Sequence, residues 1–144
     1  MKTSSVGISL IKEFEGFRAV PYEDLNGNPT IGFGHKILKG EVFGALSVVE
    51  ATALLERDVQ RCAEDFIDRL VKCPLTQNEY DALSSFVYNI GGGAFSRSTL
   101  LLLINSDQKE KAPEEILKWC KAGGSTSNGL VRRRKKESDL FKNT

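Results

Sequence analysis

Residues 15–35 read EGFRAVPYEDLNGNPTIGFGH, and this stretch differs in character from the sequence on either side of it. Asn26 followed by Gly27 is a strong signal for a tight hairpin turn. Short strands are expected at residues 20–24 before the turn and at residues 30–34 after it. Because the other segments carry helical patterns, we expect one small hairpin in a chain that is otherwise helical.

Two helices are predicted in the N-terminal half. Apolar side chains recur at intervals of three over residues 5–14, which indicates a first helix directly before the hairpin. Ser47 and Glu50 have the spacing of a capping box, which marks the start of a second helix. Apolar residues then keep a helical period through about residue 72. A helix of that length is suited to connecting two lobes.

The C-terminal half is expected to be helical throughout. Thr76 and Glu79 form a second capping-box pattern, opening a helix that runs to about Asn89 and is stopped by the glycines at 91–93. Proline at a helix start and glycine pairs at helix ends mark the later elements. Further helices are predicted at about residues 97–105, 113–121 and 130–141.

These elements predict an α+β fold in a single domain covering residues 1–144. A small N-terminal lobe would be built around the hairpin (about 15–46), and a connecting helix (about 47–72) would lead to a larger helical lobe (about 73–144). The first helix is expected to pack on the helical lobe. Clefts between two lobes are a common location for an extended ligand.

Composition excludes several classes of protein. A charged fraction of 27% and a hydrophobic fraction of 40% are ordinary for a soluble globular domain. The longest apolar run covers only residues 100–104, so we expect no stable membrane insertion. The net charge is +1, and the basic residues at 132–136 are interpreted as a solvated helix face. A surface that meets an anionic polymer is the alternative.

Cysteine and histidine usage argues against metal sites and disulfides. The chain has three scattered cysteines, Cys62, Cys73 and Cys120, and one histidine. An odd number of cysteines without a Cys-x-x-Cys pair is not a disulfide framework, and the spacing of zinc ligands is missing. We therefore expect free thiols, no metal and no cofactor.

Two carboxyl groups in the hairpin stretch suit the cleavage of a glycosidic bond. That reaction needs one protonated carboxyl to donate to the leaving oxygen and one ionised carboxylate on the other side of the bond. Glu15 stands between Phe14 and Phe17, whereas Asp24 lies beside a wet turn and Thr30 lies across it. Taken from the chemistry alone, ordinary surface charge is the stronger explanation for such a pair.

The spacing of Glu15, Asp24 and Thr30 is similar to the Glu/Asp/Thr triad of the phage-type lysozymes, the endolysin muramidases of glycoside hydrolase family 24. The sequence around the triad resembles the blocks of that family, in the same order. The matching blocks are residues 15–35, 75–105, 118–124 and 129–141. The resemblance therefore covers nearly the whole chain.

The resemblance implies a lysozyme-like fold and a glycosidase that acts in host-cell lysis by a phage or prophage. The bond cut would be the β-1,4 bond between N-acetylmuramic acid and N-acetylglucosamine in bacterial peptidoglycan. Glu15 would be the general acid, Asp24 the base or electrostatic partner, and Thr30 the residue that positions a water molecule. An attacking water implies inversion, with carboxyl groups about 6.5–9.5 Å apart.

The same resemblance assigns a structural pair. His35 is the single histidine and therefore a tempting base. The family pattern pairs this histidine with an aspartate of the long helix, and Asp58 occupies the matching position. We predict an ion pair between His35 and Asp58 that stabilises the fold and does not act on substrate.

Candidate substrate-binding residues lie in the C-terminal half. Tyr88 and Asn89 end a predicted helix, and the resemblance implies that they line the cleft opposite the hairpin, although a core position for Tyr88 is an equal alternative. One of the three arginines at 132–134 is expected to reach the catalytic carboxyl groups. Arg132 and Arg134 are included as substrate-binding candidates.

The partner predicted from the resemblance is the glycan strand of peptidoglycan, bound by a monomer, with no nucleic acid. Synthesis would occur in the host bacterial cytoplasm, and action on the cell wall in the periplasm would follow release or export. A non-catalytic peptidoglycan-binding module of the same fold is the main alternative. A nucleic-acid binder using residues 76–90 and 132–136 is weaker, because the net charge is only +1.

Overall fold

A three-stranded antiparallel sheet follows the first helix in the computed structural model, which describes residues 1–143. Helix α1 (Ser5–Glu15) begins where the Ser4 hydroxyl accepts a hydrogen bond from the backbone N–H of Val6. The strands lie in the order β1-β2-β3. They are β1 (Arg18–Glu23), β2 (Pro29–Gly32) and β3 (His35–Lys36). The predicted hairpin is present, and β3 is an addition that the sequence patterns did not predict.

The connecting helix is long but not uniform. Helix α2 (Val48–Val59) starts at the predicted capping box, with both hydrogen bonds between Ser47 and Glu50 formed. A π-helical turn (Gln60–Glu64) follows, and helix α3 (Asp65–Leu70) completes the connection. The prediction of one helix to about residue 72 is therefore correct in extent, but it missed the change to π-type hydrogen bonding.

The helical lobe is built around α4 (Gln77–Ile90), which begins at the predicted capping box of Thr76 and Glu79. Helices α1 and α8 pack against it, and its central side chains are fully buried. The other elements are α5 (Gly92–Ser96), α6 (Thr99–Asn105), a 3₁₀ turn (Lys109–Lys111), α7 (Ala112–Leu117), β4 (Lys121–Ala122), β5 (Ser125–Thr126) and α8 (Asn128–Lys142).

Two expectations for this lobe were wrong. The glycines at 91–93 do not form a simple stop, because only Gly91 ends α4 and the next two begin α5. Helix α7 ends at Leu117 and does not continue to residue 121. Gly123 and Gly124 have φ values of +59° and +83°, which suit the tight turn between β4 and β5. Glycine therefore marks a hairpin here.

His35 joins the small sheet to the connecting helix. Its Nδ1 lies 2.7 Å from Oδ2 of Asp58, and its Nε2 lies 2.9 Å from Oε1 of Glu41. Arg61 contacts the other oxygen of Asp58 at 3.1 Å. His35 and Asp58 are both buried. The histidine thus lies between two carboxylates, one from the helix and one from the loop after β3.

The three cysteines are free and half-buried. Among residues 1–143, no helix has the length and apolar character needed to cross a bilayer.

Gly92 provides a test of packing between α5 and α3. A Cβ at this position would lie 2.4 Å from the ring of Phe66, whereas a Cβ at Gly93 would meet only Arg97, at 3.5 Å. We expect Gly92→Ala to lower the free energy of unfolding by about 1–3 kcal/mol through overpacking. Gly93→Ala, the matched control, should be neutral or stabilising by up to about 1 kcal/mol. Urea unfolding of both variants measures this, and equal midpoints would contradict the packing argument.

Removing the histidine should destabilise the fold. In His35→Ala, the buried Asp58 keeps Arg61 but loses its shortest hydrogen bond. We expect a loss of about 2–4 kcal/mol in the free energy of unfolding, measured by thermal and urea unfolding. Glu41→Gln removes the charge of the more exposed partner and should cause a smaller loss. An unchanged stability in His35→Ala would show that the contact is not a structural link.

Candidate active site

Five of the seven predicted catalytic and substrate-binding residues meet in one cleft of about 510 Å³ between the sheet and the helical lobe. These five are Glu15, Asp24, Thr30, Tyr88 and Asn89. Further lining side chains come from β3 and the connecting helix. These side chains, which the sequence patterns did not predict, include Lys36, Arg61 and Cys62.

Glu15 is the last residue of α1, so its position is set by the end of a helix. Gly16 ends the helix with φ +71°, and its N–H donates to the carbonyl of Lys12. The Glu15 side chain is 22% exposed, with Oε2 2.7 Å from Nη1 of Arg133. Its other oxygen lies so close to Gly34 that a Cβ there would be 2.7 Å away. The carboxyl is therefore confined on two sides.

Arg133 is the arginine that reaches Glu15, and it is 3% exposed. Its Nε donates to Glu137 at 3.2 Å, and Nη2 donates to the carbonyl oxygen of Ser85 at 3.1 Å. The sequence predicted that one of the three arginines at 132–134 reaches the catalytic carboxyl groups, but only Arg132 and Arg134 were included as candidates. The spacing of Arg133 and Glu137 indicates a pair on one face of α8. Arg134 lies three residues from the same glutamate, so this spacing alone does not select Arg133.

The two arginines named from the sequence have different positions. Arg134 is 1% exposed and donates to Glu137, to the carbonyl of Trp119 and to the side-chain oxygen of Asn89. Each of its three nitrogens has a hydrogen-bond partner, and Arg134 lies behind Asn89, so a direct contact of Arg134 with substrate stays a prediction. Arg132 is exposed and lines a second cavity beside the cleft.

Asp24 follows β1 and is surrounded by donors. Its Oδ1 accepts hydrogen bonds from the backbone N–H groups of Asn26 and Asn28, at 2.9 Å and 2.8 Å. Its Oδ2 is ion-paired with Nζ of Lys36. The Lys36 ammonium and, after it, the Asn28 N–H lower the pKa of Asp24 to about 2. The carboxylate is therefore ionised at any pH above that value.

Thr30 lies opposite both Tyr22 and Lys36 in the sheet register and is 1% exposed. Its hydroxyl donates to the carbonyl oxygen of Asn28 at 2.9 Å. Since the proton is committed to that carbonyl, the oxygen lone pairs are left to accept a hydrogen bond from the cleft side. This is the property needed to orient a water molecule near Asp24.

Tyr88 and Asn89 form the wall of the cleft on the helical side. The Tyr88 hydroxyl donates to the carbonyl oxygen of Phe33 at 3.4 Å, which links α4 to the segment after β2. Burial raises the pKa of the Tyr88 phenol, so it stays neutral. Asn89 also lines the second cavity, of about 510 Å³, so the groove continues past the cleft toward α8.

The arrangement suits acid-assisted hydrolysis. A half-shielded carboxyl from α1, which contacts Arg133, and an ionised carboxylate from the hairpin line one cleft, together with the hydroxyl of Thr30. Two carboxyl groups in one cleft are what glycoside hydrolysis requires. Across residues 1–143, the His, Cys, Asp and Glu side chains form no group of three or more that could hold a metal ion.

Comparison with known proteins identifies close relatives. The endolysin of Bacillus phage B103 is 44% identical over 143 residues, which are 98% of this chain but 54% of that protein. The endolysin of Salmonella phage P22 is 41% identical over 145 residues, covering 98% of each. The chain thus spans about half the length of the Bacillus-phage relatives and nearly all of the P22 protein.

Solved structures show the same fold. A crystal structure of a P22 lysozyme mutant matches with a TM-score of 0.88 at 39% identity, covering 98% of both chains. The muramidase domain of SpmX from Asticaccaulis excentricus matches with a TM-score of 0.86 at 35% identity over 97% of both. The predicted lysozyme-like α+β fold is confirmed. Since the family model described as phage lysozyme also matches residues 12–137, the chain belongs to the phage lysozyme family.

Proposed function

We propose that the protein is a muramidase that hydrolyses the β-1,4 bond between N-acetylmuramic acid and N-acetylglucosamine in bacterial peptidoglycan. The observation that carries the proposal is the meeting of Glu15 and Asp24 in one cleft, in different surroundings, within a chain of the phage lysozyme family. Relatives named endolysins support a role in lysis of a phage or prophage host.

Glu15 is the general acid in this proposal. It donates a proton to the bridging oxygen as the bond to the leaving sugar breaks. The Arg133 guanidinium contacts this carboxyl, but its charge is shared with the buried Glu137. The Arg133 contact therefore holds the Glu15 side chain in place at the end of α1.

Asp24 acts as an electrostatic partner in this proposal. Both of its oxygens already accept hydrogen bonds, and its pKa of about 2 makes it a weak proton acceptor. These properties support stabilisation of the positive charge that develops on the sugar ring more than abstraction of a proton. Of the two roles that the sequence left open, the electrostatic one is therefore favoured.

Thr30 positions the attacking water. Its hydroxyl proton is held by Asn28, so its oxygen can accept from a water that lies beside Asp24. A water that attacks from the Asp24 side, with Glu15 protonating the leaving oxygen on the opposite side of the bond, would invert the anomeric carbon. The oxonium group formed by the attacking water is strongly acidic, so it loses its extra proton to solvent water.

The site of action follows from the substrate. Peptidoglycan lies outside the cytoplasmic membrane, so a protein made in the host cytoplasm must be released or exported to the periplasm. Relatives named SAR-endolysins, 34–37% identical over 88% of this chain, are among the matches. We propose a monomer that binds glycan strands in the groove between the lobes.

Replacing the general acid tests the proposal directly. Glu15→Gln should reduce the rate of peptidoglycan hydrolysis by about 10²–10⁴-fold, because the amide cannot donate the proton. Clearing of outer-membrane-permeabilised cells and release of reducing ends from purified peptidoglycan measure the rate. Glu114→Gln is the matched control, since this exposed carboxylate lies on α7 and lines neither the cleft nor the second cavity. Its rate should be unchanged.

A wild-type protein that binds peptidoglycan without cleaving it would refute the muramidase proposal and support a binding module of the same fold. Binding to DNA that weakens with salt, without lysis, would support the nucleic-acid alternative.

Gly34 provides a test of the confinement of Glu15. Gly34→Ala would bring a Cβ to 2.7 Å from the Glu15 carboxyl oxygen, at a residue with φ +81°. We expect the rate of hydrolysis per folded molecule to fall at least about tenfold, because the carboxyl must move. Gly40→Ala, at φ +88° with open space around it, suffers the same backbone strain without the clash. Equal activity of the two variants would contradict the role of Gly34.

A further inference from the structure

Lys36 is a charged residue of the cleft that has no role in the proposed reaction. It lies on β3, opposite Thr30 in the register, and its side chain is 57% exposed. Its Nζ is ion-paired with Oδ2 of Asp24 across the hairpin. The pairing of β2 with β3 therefore sets both neighbours of the carboxylate, the hydroxyl of Thr30 and the ammonium of Lys36.

The two oxygens of Asp24 are held in different ways. Oδ1 is held by backbone N–H groups of the tight turn, whose positions are fixed by the hairpin. Oδ2 depends on one side chain, that of Lys36. Without this contact, the carboxylate plane could rotate about the oxygen that the turn holds. The orientation of Asp24 thus rests on Lys36.

We propose that Lys36 is a positioning residue for the reaction, and that its ammonium keeps the Asp24 carboxylate ionised and oriented toward the cleft. This inference rests on the proposed muramidase function. Exposed ion pairs contribute little to stability, so the effect of Lys36 should fall on the site and not on the fold.

Other charged groups near Asp24 do not replace Lys36. Arg61 is the other cation that lines the cleft, and it contacts Asp58. In the part of the chain that the structure describes, Lys36 is the one cationic side chain bonded to Asp24. The remaining titratable groups of the cleft and of β1 are Glu15, Arg18, Tyr22, Glu23, Asp58, Cys62 and Tyr88, and the Arg18 guanidinium lies over the Tyr22 ring.

The pH dependence follows from the charge. Lys36 is the largest contributor to the lowered pKa of Asp24, about 2 against an ordinary value of 3.8. Without Lys36, the backbone N–H groups of the turn would still donate to Asp24, so the pKa of Asp24 should rise by about 1. Because Asp24 works as a carboxylate, activity is lost as the pH falls through its pKa. The acid limb of the activity profile should therefore move to higher pH.

The experiment compares Lys36→Met, Lys36→Arg and the control Lys39→Met, an exposed lysine three residues later on the same lobe. The activity profile is measured from pH 1.5 to 7 on purified peptidoglycan, so that the range includes the wild-type pKa of Asp24. The Asp24 carboxyl carbon is titrated by NMR in the full-length protein, with Asp24→Asn used to assign its signal. Thermal unfolding checks that each variant is folded.

We expect Lys36→Met to shift both the carboxyl titration and the acid limb upward by about 1 pH unit, and to lower kcat about tenfold with little change in KM. Lys36→Arg should restore both properties, since it restores the charge, and Lys39→Met should match the wild type. If Lys36→Met titrates and cleaves like the wild type, or if Lys36→Arg fails to restore the profile, the proposal is wrong.

The experiment distinguishes failure of the muramidase proposal from failure of the Lys36 proposal. A wild-type protein that does not cleave peptidoglycan would refute the muramidase function, whereas the carboxyl titration would still decide whether Lys36 holds Asp24 ionised. If Lys36→Met is not folded, Lys36→Gln provides the same loss of charge with a polar side chain.

Discussion

The site depends on one buried cation, the guanidinium of Arg133. It bonds to Glu15 at the end of α1, to the Ser85 carbonyl on α4 and to Glu137 on its own helix α8. A buried arginine is tolerated only when its donors are satisfied and its charge is balanced. The three helices must therefore keep their mutual positions for this charge to remain compensated. The general acid proposed for the reaction is thus fixed by the same contact that joins the helical lobe.

The two halves of the cleft are held by different means. On the helical side, helix packing and buried ion pairs place Glu15, Tyr88 and Asn89, with Arg134 supporting Asn89 from behind. On the sheet side, the strands are short, and a turn with backbone hydrogen bonds places Asp24. The acid is therefore set by a rigid core, whereas the charged partner depends on local hydrogen bonding within a small hairpin.

Much of the fold could be predicted because its signals are local. Capping boxes at Ser47 and Thr76 mark real helix starts, and Asn26-Gly27 marks a real turn. The hairpin of β4 and β5 was missed because two-residue strands have no periodicity to detect. Triad spacing pointed to the carboxyl groups in the cleft. Arg133 and Lys36 could not be chosen from their neighbours, because only packing decides which arginine of a run turns inward and which strand lies beside Asp24.

The π-helical turn at Gln60–Glu64 determines which insertions and deletions the connecting helix can accept. Each residue of an α-helix advances the spiral by about 100°. A π-helical turn takes up one residue more than an α-helical turn, so deleting one residue there would restore α-helical geometry and leave the later residues on their present faces. Ile67 would stay in the core. A further inserted residue would instead rotate the later positions by about 100°, so this segment should accept a single-residue deletion more readily than an insertion.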